Sequence, residues 1–278
     1  MIRIACAQLA PRIGEPELNR KRATDAIARA ASEGASLVLL PELCVSGYVF
    51  EDAEEARHCA EPIDGPTVAG WRAQSAREGI AIIGGICELD EEGELRDSAV
   101  VIESGELVAV YRKTHLWDRE KLMFAPGEEP PPVVDTSFAR VGVAICYDSS
   151  FPEMMRVLAL AGAELIAVPT NNPVLGPELE PLPGELLMPS TTALVNHVFV
   201  AQCDRAGRER GVDWVGATTI VDPDGRILTQ RVIGEGLVFA EFDPKLARDK
   251  RFSERNDALA DRRPELYGAV VAPPVTTP

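Results

Sequence analysis

Two periods of hydrophobic and polar positions alternate along the first half of the chain, and they predict its elements. Residues 2–9 form a short apolar run that reads as a strand. Residues 17–33 place Ala and Ile at helical spacing and stop at Gly34. Ser36-Leu37-Val38-Leu39-Leu40 is a short buried strand, residues 66–78 an amphipathic helix, and residues 81–87 a further strand. The grammar then changes. Asp90-Glu91-Glu92-Gly93 and Glu103-Ser104-Gly105-Glu106 are turns between short strands, which predicts antiparallel hairpins.

Residues 113–132 read as a loop rich in proline and charge, and residues 133–168 return to strand, turn, helix and strand. Residues 169–185 hold five prolines and no clear period, so they predict a long loop. A helix is expected over 187–197, a strand over 198–203, and a hairpin turn at Asp222-Pro223-Asp224-Gly225. From Asp243 onward the chain predicts an exposed arm or short helices. With no internal repeat or linker, this is one domain over residues 1–278, its core ending near 243 and its arm spanning 244–278. Mixed βαβ units and hairpins place it among layered α/β folds with helices outside.

Composition narrows the classes of function. The 278 residues are 46% apolar, enough for a large core, and only 5% aromatic, which leaves few platforms for stacking bases. The net charge of −16 disfavours nucleic acid and anionic membranes as partners. No apolar stretch is long enough to span a bilayer, and the first residues lack the pattern of a signal peptide. Six cysteines without CxxC pairs read as reduced thiols of a cytoplasmic protein.

Cys146 is the cysteine best placed to react. It ends the apolar run Val141-Gly142-Val143-Ala144-Ile145, and Pro152 suits the first turn of a helix just beyond it. A helix start there is expected to lower the thiol's pKa and to offer N–H groups to an oxyanion. Glu42 follows the 36–40 strand, where α/β crevices form, and reads either as a general base or as a loop-capping carboxylate. Lys113 stands where a strand runs into the long loop, as an oxyanion-holding cation or an ordinary surface lysine. Glu120 alone reads as one member of a solvated charge run. His115, two residues from Lys113, keeps a Cys–His dyad open. Metal-ligand spacings, GxGxxG and Walker loops are missing, so neither a metal nor a cofactor is expected.

Together these segments resemble the nitrilase superfamily of carbon–nitrogen hydrolases, from the Gln8 strand to about Tyr267. Pro41-Glu42-Leu43 with Ser46-Gly47-Tyr48 resembles its glutamate motif, and Tyr111-Arg112-Lys113-Thr114-His115-Leu116 its lysine motif. Gly142-Val143-Ala144-Ile145-Cys146-Tyr147-Asp148 with Phe151-Pro152-Glu153 resembles its cysteine motif. Residues 120–127 resemble the segment carrying a second active-site glutamate, Glu120.

The resemblance implies a four-layer αββα sandwich that pairs into a homodimer or higher homo-oligomer. It also implies catalysis by Glu42, Lys113 and Cys146, assisted by Glu120, with the N–H of Tyr147 in the oxyanion site. Tyr48, Trp117, Asn171 and Asn172 are expected to line the substrate pocket, with the proline-rich loop to Pro183 at its rim. Ser149 and Ser150 stand where carbamoyl-amino-acid branches place basic side chains, which implies a small neutral substrate. Cys146-Tyr147-Asp148 follows the amidase pattern rather than the nitrilase one. The expected reaction is hydrolysis of a short aliphatic primary amide through a thioester. The alternatives are a nitrilase, a carbamoyl amidase, or a non-catalytic binding protein on the same fold.

Overall fold

The computed structural model describes residues 1–175 and 184–273. Two sheets stack face to face with helices on both outer sides. The first sheet runs in the order β13-β1-β2-β3-β4-β5, built from β1 (Ile2–Gln8), β2 (Leu37–Leu39), β3 (Ala81–Leu89), β4 (Leu95–Glu103), β5 (Glu106–Arg112) and β13 (Gly236–Phe242). The second runs β12-β9-β8-β7-β6, from β6 (Val133–Asp135), β7 (Arg140–Val143), β8 (Leu165–Pro169), β9 (Phe199–Cys203) and β12 (Thr219–Val221). Strands β1, β2 and β3 are mutually parallel, as are β7, β8 and β9. Antiparallel strands close both edges of each sheet.

The strand period of two sorts the side chains into layers. On β1, Ile4 and Cys6 face the second sheet, where they meet Val141, Val143, Ile145, Leu165, Ala167 and a stacked Phe199–Phe242 pair. Ala5 and Ala7, the alternate positions, pack under α1 (Pro16–Ser32) and α3 (Pro66–Glu78) beside Ile27 and Trp71. On the opposite face, α4 (Pro152–Leu160) and α5 (Gly184–Asn196) cover Ile166, Val168 and Val200. Three apolar layers between four structural layers make this the expected αββα sandwich.

Most elements fall where the hydrophobic pattern put them. Helix α5 begins at Gly184, earlier than expected, and the proline-rich segment 176–183 before it lies outside the described residues. The turn at Asp222–Gly225 forms but leads only to a single bridge, Val221 to Ile227, because β12 pairs with β9 instead. A short helix, α2 (Ala53–Cys59), and a ribbon of β10 (Arg208–Glu209) with β11 (Val212–Asp213) complete the body. The arm after Asp243 carries the two-strand ribbon β14 (Arg251–Ser253) and β15 (Asn256–Asp257) and lies against α4 and α5. Arg156 Nη1 donates to Ala258 O at 3.2 Å, and Lys250 Nζ to His197 O at 2.8 Å.

Candidate active site

The parallel strands bring their carboxyl ends to one side of the molecule, and the candidate side chains sit just past those ends. Glu42 follows β2, Lys113 follows β5, Cys146 follows β7, and Asn171 follows β8. The Glu42 turn can approach β3 only because residue 85 is glycine. A Cβ there would lie 2.5 Å from Glu42 Cα. The two backbones are tied together by Gly85 N to Pro41 O at 3.0 Å and Cys44 N to Gly85 O at 3.1 Å. Gly127 serves Lys113 in the same way: its N–H donates to Lys113 O at 2.8 Å, and a Cβ would lie 2.1 Å from Arg112 O.

Lys113 is the centre of the cluster and is fully buried. Its ammonium donates to Glu42 Oε1 at 2.5 Å and to Glu120 Oε1 at 2.7 Å, and lies 3.3 Å from Asp97 Oδ2. Burial alone would lower the lysine's pKa, but Glu42, Glu120 and Asp97 outweigh it and hold it well above the ordinary value. Glu120 is not part of a solvated charge run. It is buried, accepts the Tyr48 hydroxyl at 2.5 Å on Oε1, and accepts the Trp117 N–H at 2.8 Å on Oε2. Burial pushes Glu42 up, and Lys113 opposes that shift. Three carboxylates converge on this point, but the cation position between them is filled by the ammonium itself.

Cys146 opens a short 3-10 turn, Cys146–Ser150, in a left-handed conformation with φ +46°. A non-glycine residue held there stores backbone strain, as sharp nucleophile turns do. The expectation of a helix start lowering its pKa is corrected by the structure. Helix α4 begins only at Pro152, and the thiol is pushed well above its ordinary range, chiefly by burial and then by Glu42 and Glu120, with Lys113 opposing. A thiol shifted in this direction favours its neutral form and would need a base to react. The sulfur lies 3.8 Å from Asn171 O, and Asn171 Nδ2 donates to Glu42 O at 3.0 Å. The turn's first internal bond is Asp148 N to Ile145 O at 3.0 Å, which leaves the Tyr147 N–H outside that ladder.

The remaining expected residues divide into wall and scaffold. Trp117, Cys146, Tyr147, Ser149, Asn171, Asn172 and Glu185 line a cavity of about 130 Å³. Trp117 and Tyr147 meet edge to face at 4.9 Å. Tyr48, Trp117 and Glu120 border a larger apolar cavity of about 410 Å³ beside it, with Phe50, Leu175 and Trp214. The Asn172 side chain is turned largely to scaffolding. The Asn172 backbone N–H donates to Asp204 Oδ1 at 2.9 Å and its side-chain Nδ2 to Oδ2 at 3.4 Å. Burial pushes the Asp204 carboxyl up to about 7.

His115 is tied to Asp148 and Phe151. Its Nδ1 shares Asp148 Oδ1 at 2.8 Å and its ring stacks on Phe151 at 3.7 Å. Asp148 had no assigned role in the sequence. It is fully buried and also accepts from Ile145 N, His115 N and the Tyr111 hydroxyl, which ties the lysine and cysteine segments together. Asp97 was missed for a different reason: it sits mid-strand opposite Cys87 in an antiparallel pair, with no motif around it. Glu209 was missed as well. It pairs with the buried Arg205 at 3.1 Å and accepts the Tyr48 and Val49 N–H groups, fixing the loop that carries Tyr48.

Comparison with known proteins places this geometry. The carbon-nitrogen hydrolase family model matches residues 3–252. The chain belongs to this family. A protein named nitrilase from Pyrococcus abyssi is 38% identical over 96% of this chain and 99% of its own length. An (R)-stereoselective amidase from a Pseudomonas species is 32% identical over 96% and 93%. Among solved structures, an amidase from Nesterenkonia sp. AN1 superposes with a TM-score of 0.79 at 29% identity, covering 96% of this chain and 95% of that one. That structure is a glutamate-to-glutamine variant showing covalent addition of the acetamide moiety of fluoroacetamide at its active-site cysteine. The present chain is thus a carbon–nitrogen hydrolase of the nitrilase superfamily, with the α/β fold of its amidase members.

Proposed function

We propose that this hydrolase is an amidase that cleaves small neutral primary amides to a carboxylic acid and ammonia through a thioester on Cys146. The observation that carries the reading is the buried chain Glu42–Lys113–Glu120, with bonds of 2.5 and 2.7 Å, joined to Cys146 through Asn171, which donates to Glu42 O at 3.0 Å and whose carbonyl lies 3.8 Å from the sulfur. Glu42 takes the thiol proton as sulfur attacks the carbonyl carbon. Lys113 Nζ and the Tyr147 N–H hold the oxyanion, each such donor being worth about 3 kcal/mol. The proton passes to the amide nitrogen, the C–N bond breaks and ammonia leaves. Glu42 then deprotonates a water, which attacks the thioester, and the thiol is restored as the acid departs. Glu120 orients the nitrogen or the water and steadies Lys113.

The walls around the thiol favour a neutral substrate. Ser149, Ser150 and Glu185 border the cavity, and no described residue lining it is basic, so a substrate carboxylate would meet a negative wall. This disfavours carbamoyl amino acids. A nitrilase reading is favoured by the name of the Pyrococcus relative and uses the same residues. A matched pair of short nitrile and amide, each followed by ammonia release, separates the two. Six free thiols support a reducing, cytoplasmic setting, and no described helix is long and apolar enough to cross a membrane. The assembly proposed is a homodimer.

Mass spectrometry of protein quenched during turnover of short amides tests the mechanism. The expected product is an adduct of the acyl group mapping to the peptide that holds Cys146, absent in Cys146→Ala, which keeps the fold but not turnover. Ammonia release by that variant, or an adduct elsewhere, sinks the assignment.

A further inference from the structure

The cluster around Lys113 holds more negative charge than its one cation balances. Glu42, Asp97 and Glu120 are each at most 2% exposed, and one carboxyl oxygen from each lies within 4.8 Å of the others. Glu120 is fully served as a carboxylate, by Lys113 and the Tyr48 hydroxyl on one oxygen and the Trp117 N–H on the other. Glu42 is half served: Oε1 takes the lysine, and buried Oε2 has no donor. Asp97 is least served, since neither oxygen has a properly aligned donor and only Oδ2 comes within 3.3 Å of the ammonium. Three ionised carboxylates would leave two uncompensated charges and several orphan acceptors in a site closed to water. Proteins avoid that by holding a proton.

We propose that Asp97 is a positioning residue held as the neutral acid, its carboxyl proton hydrogen-bonded to Glu42 Oε2. A single proton placed there serves the orphan oxygen of Glu42. It also reduces the charge facing the thiol to that of Lys113, Glu42 and Glu120. One oxygen of each carboxyl lies within 4.8 Å of the other, burial pushes both groups up, and Asp97, unlike Glu42, has no hydrogen-bond donor to hold it as a carboxylate. The consequence is catalytic. A thiolate and an oxyanion both develop beside this cluster, and an ionised Asp97 would repel them. As an acid it leaves Glu42 ionised, aims its Oε1 at Lys113, and adds no charge. The groups facing Asp97 are Glu42, Lys113 and Glu120, with Cys87 across the strand pair, and Cys87 is itself fully buried and pushed up.

The proposal rests on Glu42 acting as the base, and its test does not require the substrate to be known. Asp97→Asn keeps the shape and offers an amide N–H to Glu42 Oε2, whereas Asp97→Ala offers nothing. Both would be followed by the rate of Cys146 alkylation with iodoacetamide across pH, and by kcat/KM for a short amide. Expected is an Asn variant within about threefold of the wild type in both rates with its acid limb unmoved, and an Ala variant at least about tenfold slower. An Asn variant as slow as Ala, or one whose acid limb moves down by a full pH unit, would show that Asp97 acts as a charge and overturn the proposal. So would an Ala variant as fast as the wild type. Alkylation that follows this pattern while no amide is turned over would leave Asp97 assigned and remove the amidase reading instead.

Discussion

Glu42 and Cys146 are both kept in their uncharged direction by burial, and this sets the pH behaviour of the site. A raised Glu42 loses its basic form at a higher pH than an ordinary carboxylate. The acid limb of kcat/KM is therefore expected above the usual 4.5, and a limb at or below it, read from a pH–rate profile, would contradict a buried base. No alkaline gain near the ordinary thiol value is expected, because burial pushes the thiol above that range. Glu120 differs from Glu42 in being saturated with donors. Glu120→Gln removes one of the carboxylates that hold Lys113 and sets an amide N–H or a weaker acceptor against donors. It should cut kcat about 100-fold with a much smaller change in thermal stability, by steady-state kinetics beside calorimetry.

At the scale of elements, the site is a meeting of strand ends that needs local devices to stay together. Asp148 is the main one. It caps the start of the cysteine turn through Ile145 N and binds the lysine segment through His115 N and the Tyr111 hydroxyl. Asp148→Ala leaves several buried donors unsatisfied and should cost about 3 kcal/mol by denaturant unfolding, with loss of activity as Cys146 shifts. A fully stable, fully active variant would mean that the turn holds itself. The motif around Cys146 made Asp148 visible as a letter, but its partners in the lysine segment, His115 and Tyr111, lie more than thirty residues away. Its role could not be read from spacing.

At the scale of the whole molecule, the outer helices carry apolar side chains that stay partly exposed among the described residues. Val157 and Leu160 on α4, and Leu194 and Val195 on α5, are each between 41% and 47% exposed. Exposed apolar side chains of this kind on the outer helices suit the proposed pairing of two sandwiches. Light scattering should give about twice the 30.0 kDa chain mass, and Leu160→Arg with Leu194→Arg should shift it to the monomer. A wild-type monomer at micromolar concentration would remove the dimer.

Periodicity determined the layers of this protein. A strand period of two on residues such as Ile4 and Ala5, and a helical period over residues 17–33, decide locally which side of each element is apolar, and burial follows. Motif residues Glu42, Lys113 and Cys146 were legible because each stands at a strand end in a recognisable segment. The tertiary structure alone decided that Glu120 is buried against Lys113, that His115 serves Asp148, and that Asp97 joins the cluster from mid-strand. It also decided that the Cys146 thiol is raised rather than lowered. Charge balance and desolvation depend on neighbours distant in the chain, and no local pattern encodes them.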